Sequence, residues 1–327
     1  MNEALVIEHL SVEFRHDGTW VRVVDDVSFE IHPGDRLAIV GESGSGKSVT
    51  ALAIVGLLDP AGRVVSGSAR LGGLDLITAG RKALEDVRGR RIAMVFQDAL
   101  SALDPVFTIG QQIGAVLKRH MPSLTKSDRL ERSIELLRAV GIADPQRRLS
   151  NYPHQMSGGM RQRALIASAL AGDPEILIAD EPTTALDVTV QAQIVQLLHD
   201  LADERSMALV MITHDLGVVG EVADRALVMY SGSIVEDVLV DNLFNGPRHP
   251  YTAALLASIP RLVGTRPRRL DAIAGAPPRA GSWPSGCTFA PRCSFATDAC
   301  LVRPVLVAEA GTRLSCHHPL RPLASPT

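Results

Sequence analysis

Two groups of residues in this chain of 327 residues have the types and spacing for chemistry on phosphate groups. The first is a glycine-rich run that begins at Gly41 and ends in Lys47 and Ser48. Glycines let a backbone wrap tightly and turn N–H groups towards an anion, while the lysine reaches phosphates and the serine ligates Mg²⁺. The second group is Asp180 and Glu181, which end an apolar segment. Together they predict a site for a nucleoside triphosphate and Mg²⁺.

The glycine-rich run has the flanking elements that a phosphate-binding loop requires. Ile39 and Val40 are apolar and β-branched, which favours a buried strand. The apolar segment 49–58 predicts the helix that follows, and its N-terminus adds a partial positive charge. The alternative is an ordinary Gly/Ser turn before a helix, but Gly-Lys-Ser stands at the offset that phosphate binding needs.

The acidic pair follows a second apolar strand, predicted over residues 176–179. A buried strand should not end in two carboxylates unless a cation or a reaction uses their charge. Asp180 fits the carboxylate that accompanies Mg²⁺, and Glu181 fits the group that polarises an attacking water. The alternative is a strand end at the surface with two solvated acids.

A third run, Ser157-Gly158-Gly159-Met160, precedes an apolar-periodic segment over residues 164–170. That pattern predicts a helix whose start, with the Ser157 hydroxyl, forms another anion site. One chain needs two such sites only if two chains share each nucleotide.

In this order the motifs resemble those of ABC transporter ATPase subunits. Gln97 resembles the Q-loop glutamine, Asp187 the D-loop aspartate and His214 the switch histidine, each after a predicted strand or turn. Phe14 resembles the aromatic that stacks on adenine, with Trp20 as its competitor. The resemblance implies that Glu181, His214 and Gln97 act in catalysis and that Ser48, Gln97 and Asp180 surround Mg²⁺. It implies that ATP contacts the following residues: Phe14, Gly41, Ser43, Gly44, Ser45, Gly46, Lys47, Ser48, Val49, Gln97, Ser157, Gly158, Gly159, Asp180 and Asp187.

Further phrases are similar to the ATPases of oligopeptide and dipeptide permeases. They are found at residues 96–98, 103–110, 152–155, 180–190 and 248–252, and the resemblance as a whole covers nearly the entire chain. Met160 departs from the Gln common in ABC proteins and resembles one of the two paired ATPases of peptide permeases; Ala99 replaces a usual Pro. The resemblance implies ATP-driven peptide uptake, with nickel or glutathione as alternative cargo. It implies a heterodimer with a second ATPase, two membrane permease subunits and an extracytoplasmic binding protein. The rival from another class is a soluble ABC ATPase acting on ribosomes or DNA.

The implied fold is α/β: a P-loop NTPase core with an antiparallel β subdomain and a helical subdomain, plus a small irregular C-terminal domain containing cysteines. We expect the ATP-binding domain over residues 1–247, with the helical subdomain at about 98–157, and the C-terminal domain over 248–327. In the helical part, Leu130, Ile134, Leu137 and Val140 share one face at helix spacing, and Thr125 with Asp128 predicts its cap.

Charge and hydropathy indicate where the protein is located and which partners are not expected. The formal net charge is −3, which does not favour a nucleic-acid binder. No apolar run approaches 18 residues, and the N-terminus has no signal-like segment. We therefore expect a peripheral protein on the cytoplasmic face of the inner membrane, attached through its partners.

All four cysteines lie near the C-terminus, at Cys287, Cys293, Cys300 and Cys316. In a reducing compartment such clustering favours shared metal ligation over disulfides. Structural zinc usually shows tighter Cys pairs, whereas four thiolates from irregular loops suit a 4Fe–4S cluster, which the resemblance also implies. Zinc, and free or disulfide-bonded cysteines, are the alternatives.

Overall fold

The computed structural model describes residues 3–184, 186–259, 273–309 and 311–321. By its internal contacts the chain divides into two units. The first unit comprises Met1–Ala4, Ile31–Arg36 and Thr78–Ile212, and the second comprises Leu5–Glu30, Leu37–Ile77 and Thr213–Thr327. Ala185 of the predicted D-loop segment lies outside the described residues, as do parts of the predicted C-terminal domain at 260–272, 310 and 322–327. The second unit thus contains both the glycine-rich loop and the cysteines.

The described residues form twelve strands and eleven α-helices. The strands are β1 Leu5–His16, β2 Thr19–Ile31, β3 Arg36–Val40, β4 Gly62–Leu71, β5 Leu74–Asp75, β6 Ile92–Val95, β7 Ile176–Asp180, β8 Ala208–Thr213, β9 Arg225–Tyr230, β10 Ser233–Leu239, β11 Val307–Glu309 and β12 Thr312–Leu314. The helices are α1 Lys47–Ile54, α2 Arg81–Val87, α3 Ala99–Ala102, α4 Ile109–His120, α5 Lys126–Ala139, α6 Pro145–Arg148, α7 Gly158–Leu170, α8 Val188–Arg205, α9 Leu216–Val222, α10 Val240–Asn245 and α11 Pro250–Ala257. Short 3₁₀ helices occur at Pro153–Gln155, Ala290–Arg292 and Asp298–Leu301.

In the first unit, three parallel strands run in the order β8-β7-β6. Ile176 of β7 lies opposite Ile92 on one side and Ala208 on the other. Every residue of β7 and β8 is buried. Parallel strands covered on both faces need continuous apolar sequence, which is why these two strands are predictable from their apolar runs. The register brings the ends of β7 and β8 to the same edge.

The second unit contains an antiparallel sheet of order β2-β1-β4-β5, with Leu5 opposite Leu71. Its other strands run in the order β11-β12-β10-β9-β3. Here β3 pairs with β9 in parallel, and the remaining pairs are antiparallel. Glu236 of β10 lies opposite Leu314 of β12, so the C-terminal region extends this sheet. The predicted α/β class with an antiparallel part is confirmed, and the C-terminal region is irregular apart from these two short strands.

The helices between Gln97 and Ser157 confirm the predicted cap and modify the predicted apolar face. Thr125 and Asp128 form a capping box at the start of α5, with Asp128 N donating to Thr125 Oγ1 at 3.2 Å. Leu137 is fully buried, but Leu130 is 55% exposed. Leu130 instead lines a groove of about 1000 Å³ together with residues of α4 and α5. In the described part of the chain, every helix is too short or too polar to span a bilayer.

Candidate active site

The glycine-rich loop connects β3 to α1, as predicted. Gly41 has a φ of 149°, and a Cβ there would lie 2.2 Å from the carbonyl oxygen of Met229. Only glycine therefore fits at this point of the loop. Helix α1 begins at Lys47, and its N-cap is Gly46, which has no side chain to cap the first N–H groups of the helix. A helix start of this kind carries positive partial charge and favours phosphate.

Lys47 is buried beside the loop that precedes it. Its Nζ donates to the carbonyl oxygens of Gly41 at 2.9 Å and Glu42 at 3.0 Å, and lies 3.4 Å from Ser45 Oγ. These bonds hold the ammonium against the loop backbone. The second unit thus places a fixed positive charge next to a helix start, which together can neutralise phosphate oxygens.

Glu42 is the acidic residue of this loop, and each of its polar groups is held. Its N–H donates to the Tyr251 hydroxyl at 2.9 Å, and its carbonyl accepts from Ser45 N–H at 3.2 Å as well as from Lys47. Its carboxylate accepts two bonds from Arg292, at 2.7 and 3.0 Å. The Arg292 side chain is only 4% exposed. The carboxylate raises the pKa of the Arg292 guanidinium, against the opposing effect of burial.

Asp180 and Glu181 lie in the first unit, at the end of β7. Asp180 is buried, and Glu181 is partly buried with a φ of 44°. Gln97 Nε2 and Thr184 Oγ1 both donate to Glu181 Oε2, each at 2.9 Å, and Glu181 N–H donates to the Ile212 carbonyl at 2.9 Å. Glu181 is thus held in a left-handed backbone conformation with its carboxylate oriented by two neutral donors. This arrangement suits a carboxylate that accepts a proton from water.

Ser157 and Asp187 stand at two helix starts that touch. Ser157 caps α7 by accepting from Met160 N–H at 3.3 Å, and Asp187 caps α8 by accepting from Val190 N–H at 3.0 Å. A Cβ on Gly159 would lie 2.8 Å from Val190 Cγ1, so glycine allows the close approach. The first unit therefore joins the signature-like run and the D-loop-like aspartate into one surface of helix N-termini.

His214 and the two candidate aromatics lie in the second unit. His214 directly follows β8 and is exposed. Phe14 on β1 packs against Gly62, where a Cβ would lie 2.8 Å from the ring. Trp20 is 41% exposed, with the Arg63 guanidinium 3.8 Å from its ring centroid. Both aromatics remain candidates for adenine stacking, and the assignment to Phe14 stays a prediction.

The four cysteines are free thiols in the second unit. Cys287 N–H donates to the Cys300 carbonyl at 2.9 Å, which joins two of their loops. Burial, with smaller contributions from the other three thiols, raises the pKa of Cys316 to about 11. Burial also raises the pKa of Cys287 and Cys293. These thiols are therefore protonated at neutral pH unless a cation stabilises the thiolates.

Two of these sulfurs also accept backbone hydrogen bonds, as cluster-ligating sulfurs do. Phe295 N–H donates to Cys293 Sγ at 3.4 Å and His318 N–H to Cys316 Sγ at 3.3 Å. Among the described residues, however, no three His, Cys, Asp or Glu side chains form a group that could hold a metal ion. In the described part of the chain, the four thiols on which the predicted 4Fe–4S cluster, or zinc as its alternative, depends therefore do not form a metal site.

Several residues around these groups were not predicted from the sequence, namely Glu42, Thr184, Tyr251 and Arg292. Glu42 carried a usable signal, because a carboxylate in a loop that binds phosphates is unfavourable unless a cation compensates it. Arg292 directly precedes Cys293, but nothing in its local sequence indicates a partner 250 positions away.

Known proteins are similar to this chain over nearly its whole length. The chain matches the family model "ABC transporter" over residues 24–184 and the model "Oligopeptide/dipeptide transporter, C-terminal region" over residues 235–300. It is 51% identical to a protein of Brucella abortus named as a peptide import ATP-binding protein, over 95% of this chain and 93% of the relative. It is 46% identical to the dipeptide transport ATP-binding protein DppD of Escherichia coli, over 99% of each chain.

Solved structures with the same fold include the dimeric ATP-binding cassette MJ0796 in a post-hydrolysis state with ADP and phosphate. That structure has a TM-score of 0.65 and 26% sequence identity, and the match covers 72% of this chain and 98% of the other.

Proposed function

The chain belongs to the ABC transporter family of ATP-binding subunits, in the branch of the peptide importers, and on that premise we propose that it powers the uptake of di- or oligopeptides. It is an ATPase. The observation that carries the proposal is the pairing, in one chain, of the ABC match with the oligopeptide/dipeptide transporter C-terminal match. A general ABC ATPase would need only the first.

Uptake is tested on the chain co-purified with its membrane partners and reconstituted in vesicles. We expect ATP hydrolysis to rise when peptide and binding protein are added, and to be lost in Lys47→Ala. Nickel and glutathione are the comparison cargoes. Stimulation by either of these, with none by peptides, would overturn the peptide assignment.

For the chemistry, we propose separate roles for residues of the two units. Lys47 binds the β- and γ-phosphates, and Ser48, Asp180 and Gln97 are the residues that would hold Mg²⁺, which supplies charge neutralisation at the phosphates. Glu181 accepts a proton from the attacking water. The two donors on Glu181 Oε2 support this role, because they fix the direction of the carboxylate. His214 contacts the γ-phosphate.

We propose that the working form is a dimer in which Ser157 meets the nucleotide held by the partner's loop. The joined starts of α7 and α8 support this, since together they present two helix N-termini on one surface. The presence of Met160 favours a heterodimer with a related but different ATPase. Analytical ultracentrifugation with ATP, with and without that related ATPase, measures which pair forms.

The membrane partners are proposed to dock on the groove beside α4 and α5. Its walls combine apolar Leu130 with Lys118 and Lys126, which suits an amphipathic helix of a permease subunit. Attachment through this groove would make the chain a peripheral protein on the inner face of the membrane. Leu130→Glu should release the chain from membranes that contain its partners, whereas exposed Leu301→Glu, in another unit, should not.

The four thiols are proposed to hold an iron–sulfur cluster. Their gathering in one region and the N–H···S bonds to Cys293 and Cys316 support it; a cluster also spreads its ligands more widely than a single ion. The proposal predicts about four irons per chain in protein purified without oxygen. One zinc and no iron would replace the cluster with a zinc site, and no metal at all would remove both.

A further inference from the structure

Arg292 links the C-terminal region to the phosphate-binding loop. It lies in the 3₁₀ helix Ala290–Arg292, directly before Cys293. Its two terminal nitrogens donate to the two carboxylate oxygens of Glu42, at 2.7 and 3.0 Å. A paired geometry of this kind is among the strongest side-chain contacts, and it fixes orientation as well as charge.

The Arg292 side chain is itself held from several directions. Its Nε donates to the Ala274 carbonyl at 2.9 Å, and it lies 3.3 Å from the Tyr230 hydroxyl. Tyr230 packs on Tyr251 and Phe289, with ring centroids 4.6 and 5.3 Å away. Phe289 comes from the same cysteine-containing region as Arg292. The Arg292 guanidinium therefore lies beside a cluster of packed aromatic rings to which the C-terminal region contributes Phe289.

Glu42 connects Arg292 to the backbone of the phosphate-binding loop. Its N–H donates to Tyr251 and its carbonyl accepts from Lys47, the residue proposed to bind the phosphates. The position of Glu42 thus affects both the path of the loop and the lysine. Its charge matters as well, since an uncompensated carboxylate in this loop would repel the anionic phosphates of ATP.

We propose that Arg292 is a positioning residue of the ATP site: it neutralises and orients Glu42, so that the loop binds a nucleoside triphosphate tightly when the C-terminal region is in place. This rests on the proposed phosphate-binding role of the loop. The C-terminal region is then part of the nucleotide site and not only an appended domain. The effect appears in nucleotide affinity and KM rather than in kcat, because Arg292 acts on binding and not on the water.

The test measures binding of ATP and ADP to the full chain, and its KM and kcat in the assembled transporter. Arg292→Gln should weaken ATP binding by roughly 10- to 100-fold, the range of a hydrogen bond to a charged group. ADP, with less negative charge, should lose less. The double variant Glu42→Gln/Arg292→Gln should recover most of the loss, because no carboxylate remains to repel the phosphates. Arg292→Lys should fall between.

Arg248→Gln is the matched control. It removes an ion pair of the same region, between Arg248 and Glu309 at 2.9 Å, without touching Glu42, and should leave ATP affinity unchanged. If the double variant binds ATP as poorly as Arg292→Gln, Arg292 has only a structural role and the proposal is wrong; normal binding in Arg292→Gln also overturns it. Lys47→Ala distinguishes a failure of the Arg292 proposal from a failure of the phosphate-binding role of the loop. If Lys47→Ala binds ATP normally, the loop does not have that role.

Discussion

Gln97 Nε2 lies 2.9 Å from Glu181 Oε2, and Thr184 Oγ1 lies at the same distance from the same oxygen. Both donors are neutral, so they direct the carboxylate without adding a charge that would weaken it as a base.

Glu181→Gln is the direct test of this arrangement. It preserves size and backbone but removes the base, so turnover should fall by roughly 10²- to 10⁴-fold while ATP binding persists. Steady-state hydrolysis and equilibrium nucleotide binding on the assembled transporter measure the two effects. Thr184→Val is the graded control: it removes one orienting bond and should reduce turnover far less. Near-normal turnover in Glu181→Gln would remove the residue from this role.

The adenine contact can be assigned by comparing Phe14→Ala with Trp20→Ala. Stacking of a base on an aromatic ring contributes about 1–3 kcal/mol. Phe14→Ala should therefore raise the KM for ATP by roughly 5-fold or more, with kcat little changed. Trp20→Ala, which also ends the contact with Arg63, should leave KM near normal. The opposite result would transfer the role to Trp20.

Ser157 acts on the partner's nucleotide if the proposed dimer is correct. Mixing a Ser157→Arg chain with an unaltered partner should disable only the nucleotide site that Ser157 completes, because the arginine fills the start of α7. Single-turnover hydrolysis with each loop lysine replaced in turn distinguishes the two sites. Failure of the site formed by the variant's own Lys47 would contradict action across the interface.

The burial of His249 predicts that the fold loses stability in acid. Burial lowers its pKa from 6.5 to about 4. Between these values the unfolded chain binds the proton and the folded chain does not. The contribution of His249 to the free energy of unfolding is therefore complete above pH 6.5, and it falls by about 1.4 kcal/mol for each pH unit as the pH drops towards 4. His249→Asn keeps the acceptor that caps α11 but cannot titrate, so its urea midpoint should change less between pH 7 and pH 5.

Two features complete the design of that experiment. Glu236 accepts from His249 N–H, and burial raises its pKa, which makes an opposite contribution that is present in both proteins and cancels in the comparison. His16→Asn, at a side chain that is 80% exposed, is the control and should leave the pH difference of the wild type unchanged. An equal loss of stability in His249→Asn and wild type would show that His249 does not carry the effect.

The features that could be predicted from the sequence depend on residues that lie close together along the chain. The capping box of Thr125 and Asp128 joins residues three positions apart, and β7 has a continuous apolar run because it is buried on both faces. The apolar face through Leu130 was only partly right, since periodicity does not distinguish a core position from a groove wall. The pair of Glu42 and Arg292 was beyond reach, because its residues are brought together by the packing of a region far along the chain.

Glu181 also sets stability against activity. A side chain at a φ of 44° costs the fold on the order of 1 kcal/mol or more, and glycine would carry no such cost. Any search for more heat-resistant versions of this chain would therefore be drawn towards Glu181→Gly, which relieves the backbone and removes the carboxylate proposed as the base. Thermostability screens that ignore turnover would select against that carboxylate, so the proposed activity keeps residue 181 from its most stable form.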